Sequence, residues 1–188
     1  MKPIARWISI LAHPFVMVAL LVAVPTWRQS SRTLALQFLL PVIVAVFVPL
    51  SVLMLRQVRR GRWSNVDASN PSERPLLFIV GLAGLTALLA WLVLNDPKSH
   101  LVRGVLITGA LLLIAAVLTR WVKLSLHLAF ASLAATSLSL LASPVGYALI
   151  GVVPILAWSR IALSRHRPHE LLLGLVLGVL AGIALVRF

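Results

Sequence analysis

The 188 residues predict an all-α integral membrane protein, a compact bundle of six to seven transmembrane helices. Three observations predict it. Apolar residues make up 61% of the chain and the mean hydropathy is +1.04, whereas a soluble domain is roughly 45–50% apolar. These residues fall in runs near the length of about 20 that crosses a ~30 Å hydrocarbon core. Charged residues are only 11% of the chain and sit in the short segments between the runs, which leaves no room for a separate soluble module. Residues 1–188 therefore read as one membrane-embedded domain.

The runs lie at 4–24, 34–55, 76–94, 101–119, 126–142, 145–163 and 169–186. In the first, Met1-Lys2-Pro3 leads straight into apolar sequence with no small-residue cleavage site, as expected of a retained span rather than a removed signal. The fifth opens on Ser125 at an N-cap position. Only Ser143-Pro144-Val145-Gly146 separates the fifth from the sixth, and its Pro and Gly read as a tight turn. The last run opens with Pro168 at the first helical position. It repeats Gly174, Gly178 and Gly182 at one per turn on a single face, a stripe for close helix packing.

Lys and Arg number 17 against four acids, Asp67, Glu73, Asp96 and Glu170, for a net charge of +13. In a soluble protein this excess would suggest nucleic acid. In loops flanked by membrane spans it meets lipid headgroups and phosphates instead, so the expected partners are membrane lipids and a lipid phosphate, with no nucleic acid. The chain has no cysteine, which excludes disulfides, thiolate metal sites and a cysteine nucleophile.

Counting alternate sides puts the N-terminus on one face with 56–75, 120–125 and 159–168. That face carries Lys2, Arg6, Arg56, Arg59, Arg60, Arg62, Arg74, Arg120, Lys123, Arg160, Arg165 and Arg167; the other carries Arg28, Arg32, Lys98, Arg103 and Arg187. By the positive-inside rule the richer face is cytoplasmic.

Three segments of the richer face can carry chemistry. In Ser159-Arg160 through His166-Arg167-Pro168-His169-Glu170, a carboxylate just inside a helix can fold back on His166. It then fixes the tautomer and leaves the other ring nitrogen as a nucleophile. Arg160 and the helix N-terminus favour a phosphate at that spot. The same segment also reads as a solvated interfacial loop.

In Arg120-Trp121-Val122-Lys123-Leu124-Ser125-Leu126-His127, the amides of Leu126 and His127 at a helix start form an anion site, and His127 can act as a general acid. The third segment, 65–75, ends in Arg74-Pro75, where a permanently charged planar donor suits a phosphate. Asp67 and Glu73 read there as loop-ordering groups, with Asp67 a metal ligand in the alternative.

Together the segments resemble the three signatures of the type-2 phosphatidic acid phosphatase superfamily, K-x6-R-P, P-S-G-H and S-R-x5-H-x3-D, over residues 67–174. Ser159, Arg160 and His166 stand at the family spacing with Glu170 for the aspartate. Ser125 and His127 match the second signature, where Leu126 replaces the glycine and Leu124 the proline. Arg74-Pro75 match the first, with Asp67 at the lysine position. The chain looks closer to a divergent branch with a W-K-x-S-x-H second signature and an acid-rich first one than to the well-studied enzymes.

The resemblance implies that His166 is the nucleophile, His127 the acid for the leaving group and Glu170 the partner of His166. Arg74, Arg160, Ser125 and the Leu126 amide would hold phosphate oxygens, with Lys123 substituting for the missing lysine. It implies no cofactor and no metal. The expected activity is hydrolysis of phosphatidic acid, phosphatidylglycerol phosphate or a polyprenyl phosphate or diphosphate. The rival reading is a non-catalytic lipid-phosphate binder or transporter on the same fold. Members of the superfamily usually face the site away from the cytoplasm, opposite to the charge count. Richness in Leu, Ala and Arg suggests a bacterial cell membrane.

Overall fold

The computed structural model describes residues 2–29, 32–68, 70–97 and 99–187, the side chains of Arg28, Gln29 and residues 32–35 excepted. Lys98 and the side chains of Arg28 and Arg32, all on the poorer face by charge, lie outside the described residues. The described residues form an all-α protein. Its helices are α1 (Lys2–Leu11), α2 (Pro14–Gln29), α3 (Arg32–Val42), α4 (Val48–Arg59), α5 (Arg74–Asn95), α6 (His100–Leu118), α7 (Leu126–Leu140), α8 (Pro144–Ala162) and α9 (Pro168–Arg187).

Among the described residues, six segments are long and apolar enough to cross a membrane: Lys2–Trp27, Leu36–Arg59, Pro71–Asn95, His100–Leu118, Pro144–Ala162 and Pro168–Arg187. The chain is an integral membrane protein by that measure. Its contacts divide it into two units, Met1–Leu36 with Val122–Phe188, and Gln37–Trp121.

The first unit is built on α7. Most of α7 is buried on every side, from His127 through Leu138, as expected of a helix with no polar face. Its 15 residues span only about 22 Å at 1.5 Å per residue. The fifth run is thus a short central helix, with α2, α8 and α9 packed on it.

Helices α7 and α9 run parallel and very close. A Cβ on Gly174 would lie 2.6 Å from the Ser125 carbonyl oxygen, and one on Gly182 would lie 2.7 Å from Thr136 Cβ. Ser137 Oγ donates to the Gly182 carbonyl at 3.3 Å, satisfying a hydroxyl where there is no water. The glycine stripe is therefore a packing surface. Gly178→Ala would push a methyl group against the Ala129 carbonyl and to 2.8 Å from Ser132 Cβ, at a cost of about 2 kcal/mol. Gly109→Ala, with nothing within 4 Å, should leave stability unchanged or slightly raised. Thermal unfolding of the two variants in detergent checks the contrast.

The connection from α7 to α8 differs from the expected Ser143–Gly146 turn. Ser143 N–H donates to Leu138 O and Ala142 N–H to Ser139 O, both at 2.9 Å, with Ala142 at φ +52°. This pair of bonds is a Schellman cap with alanine in the left-handed position. Pro144 already opens α8, where its missing N–H costs nothing. Gly146 serves instead for close approach to the backbone of Leu138 and Ser139.

The first run is also broken. Helix α1 ends at Leu11 because a residue before proline is pushed out of the α region, here His13 before Pro14. His13 then caps α2, its Nδ1 accepting from Phe15 N–H at 3.2 Å.

In the second unit, a π-helical turn at Ile43–Phe47 joins α3 to α4, so the run at 34–55 is not one regular helix. The reason is Pro49, which has no N–H to return to the carbonyl four residues back. That carbonyl, on Ala45, lies against Gly84 of α5, where no Cβ could fit. Before α5, Glu73 accepts from Ser64 N–H at 2.8 Å and from the backbone and side-chain nitrogens of Asn70 at 3.2 and 3.1 Å. Glu73 is a loop-ordering group, as its sequence position suggested. Arg74 is buried at the start of α5 and its Nε donates to the Ala68 carbonyl at 3.4 Å.

Candidate active site

The first unit gathers the second and third signature segments at one end. Ser159 and Arg160, in the last turn of α8, are both buried. Arg165 N–H then donates to the Arg160 carbonyl at 3.0 Å and Ser164 N–H to Ile161 O at 2.8 Å. Ser164 sits at φ +54°. This second Schellman cap lacks glycine as well, and its left-handed residue costs about 1 kcal/mol. It turns the chain within a few residues and delivers His166 to the start of α9.

His166 is buried, and its Nδ1 lies 2.8 Å from Glu170 Oε2. The same carboxylate oxygen accepts Arg167 N–H at 3.2 Å. Glu170 is the third residue of α9 and Arg167 the residue before it, so the acid closes half of a capping box while it holds the imidazole. With its position fixed by the helix start, the carboxylate selects the tautomer with hydrogen on Nδ1 and the lone pair on Nε2.

The segment before α7 packs directly on this corner. Ser125 N–H donates to the Glu170 carbonyl at 3.2 Å. Ser125 Oγ accepts from Leu128 N–H at 3.5 Å as the N-cap of α7, which leaves its own proton to donate. Lys123 Nζ donates to the Arg165 carbonyl at 2.7 Å, tying the two loops together. Leu126, half-buried, and His127, buried, occupy the first turn of α7, whose amides have no intrahelical acceptor.

Three contacts from the N-terminal segment had no local signal in the sequence. Ser159 Oγ donates to the Ala5 carbonyl at 2.6 Å, and Arg160 Nη1 donates to Ser9 Oγ at 2.6 Å. The His13 ring meets His127 edge-on, with centroids 5.2 Å apart at 89°. Because His13 Nδ1 accepts the Phe15 amide, its proton is on Nε2. A ring nitrogen of His13 and one of His127 lie within 4.8 Å of each other. The His13-Pro14 pair could have flagged the break; nothing in the run marks Ser9.

Of the eight residues singled out in the sequence, His166, Glu170, Arg160, Lys123, Ser125, Leu126 and His127 belong to this unit, and Arg74 belongs to the other. A phosphate-holding role for Arg74 rests on the resemblance. No protein-family model matches the chain, nor does any curated protein or solved structure, so the likeness to the phosphatase signatures stands on these residues alone.

Proposed function

We propose that the protein is a metal-independent lipid phosphatase of the type-2 phosphatidic acid phosphatase kind, in a bacterial cell membrane, acting through a phosphohistidine. The observation that carries this reading is the buried His166 with Nδ1 held 2.8 Å from Glu170. An imidazole oriented by a carboxylate in this way presents Nε2 as a nucleophile.

The Nε2 lone pair attacks phosphorus in line with the ester oxygen. The P–O bond breaks, its electrons pass to that oxygen, and His127 gives the oxygen a proton. Water then attacks phosphorus, the P–N bond returns its pair to Nε2, and the water's proton goes to His127. Arg160 holds the equatorial oxygens in substrate and transition state alike, while the Ser125 hydroxyl and the amide of Leu126 stabilise the charge that develops on them, and such stabilisation supplies most of the rate enhancement in transfers of this kind. Helix-end donors are set in place before the substrate arrives, so they need no reorganisation during reaction.

Phosphate release from phosphatidic acid, phosphatidylglycerol phosphate and a polyprenyl diphosphate, each in detergent micelles with EDTA, tests the reading. Turnover that survives chelation is expected for at least one of them. Loss of all turnover on chelation would transfer the chemistry to a cation, and binding without turnover would favour a lipid-phosphate carrier. The Lys123 ammonium donates one of its three N–H groups to the Arg165 carbonyl, which holds it at this corner for a phosphate oxygen.

A further inference from the structure

The geometry points to helix α1 as a working part of the phosphate site, with Ser9 the positioning residue that aims Arg160. The inference rests on the phosphatase reading and adds to it a residue that lies outside all three signatures.

Two short hydrogen bonds carry it. Arg160 Nη1 reaches Ser9 Oγ at 2.6 Å, and the neighbouring Ser159 Oγ reaches the Ala5 carbonyl at 2.6 Å, across 151 and 154 residues of chain. All four residues are buried. Ser9 and Ala5 are four apart and so share one face of α1. That face is small-sided, while Ile4, Trp7, Ile10 and Leu11 point outward. A face made of Ala5 and Ser9 contributes little apolar area for its own sake; what it provides is a carbonyl and a hydroxyl at the level of the α8 terminus.

The arginine needs such a fixture. Its side chain has four rotatable bonds and loses that freedom whenever it holds an anion in a fixed fork. A hydroxyl on Nη1 completes part of the ordering in advance, and it does so without a second charge that would compete with phosphate for the guanidinium. A carboxylate at position 9 would neutralise the group; a methyl group would give Nη1 no acceptor. Serine orients without neutralising. The break at His13 belongs to the same design, since it lets α1 end beside α8 while the next residues turn toward the first turn of α7, where His13 meets His127.

The test uses the full chain in mixed micelles with whichever of the three lipid phosphates the wild type hydrolyses. Ser9→Ala is expected to raise KM about ten-fold with kcat changed less than about three-fold, since an arginine holding ground state and transition state alike shows in KM. Ser9→Thr, which keeps the hydroxyl, is expected to return KM to within about three-fold of wild type. Thermal unfolding of each variant is recorded alongside.

A lowered melting temperature with KM unchanged would overturn the inference, because α1 would then be packing only. Equal losses in Ser9→Ala and Ser9→Thr would also overturn it, assigning the effect to crowding or cavity. In both cases the wild type still hydrolyses lipid phosphate and the phosphatase reading survives. A wild type that neither releases phosphate nor gains thermal stability from orthovanadate sinks both.

Discussion

His166→Ala is expected to abolish turnover, by on the order of 10³-fold or more, while the protein folds and binds detergent as before. The expectation follows from where the ring sits. His166 lies in the short link between the α8 cap and Pro168 of α9, and Glu170 is already fixed by its place in the first turn. Removing the imidazole takes away the nucleophile and leaves Glu170 with the Arg167 amide, so the helix start keeps its cap. Loss of an essential nucleophile costs several powers of ten because the groups around it act as one unit. The direct readout is covalent labelling. Label from a ³²P-lipid should remain on wild-type protein in an alkaline quench, where phosphohistidine persists, and be missing from the variant. Label retained in His166→Ala would place the covalent step elsewhere.

The second large effect is expected at His127, and it should depend on the leaving group. His127→Ala loses the proton donor for an alkoxide departing from a lipid, a contribution of about 10²–10⁴-fold. A substrate whose leaving group is already stable as an anion needs no such proton. In the variant the first step should therefore be strongly impaired on phosphatidic acid, whereas the burst of p-nitrophenolate that reports the same step on p-nitrophenyl phosphate should be close to wild type. A uniform loss on both substrates would move His127 from acid catalysis to phosphate binding, and a uniform retention would remove it from the reaction.

The parts of the fold that could be read from sequence are those set by near neighbours along the chain. Pro168 at the helix start, Glu170 in the first turn and His166 four residues before it obey local rules of helix geometry, and the structure has them at bonding distance. Gly174, Gly178 and Gly182 lie on one face by period alone and pack on α7. Pro49 could have announced the irregular turn that precedes it, as Pro14 could the break at His13.

Other features were hidden by distance along the chain or by context. Nothing near Ser9 distinguishes it from any small residue in an apolar run; its meaning comes from Arg160, 151 residues later. The tight α7–α8 turn was expected at proline and glycine because those residues usually occupy turn positions, yet the capping hydrogen bonds set Ala142 in the left-handed region there, as they set Ser164 between α8 and α9. Helix α7 has the composition of a span, and only its neighbours reveal that it is a short core.

The parallel run of α7 and α9 has an energetic consequence. Each helix start carries about half a positive charge, and the bond from Ser125 N–H to the Glu170 carbonyl keeps the two starts adjacent. Like poles held together repel, and Glu170 relieves only part of that. An anion taken up at this corner relieves more, so occupancy and folding stability are thermodynamically linked: the tighter the anion is held, the higher the temperature at which this end of the unit comes apart.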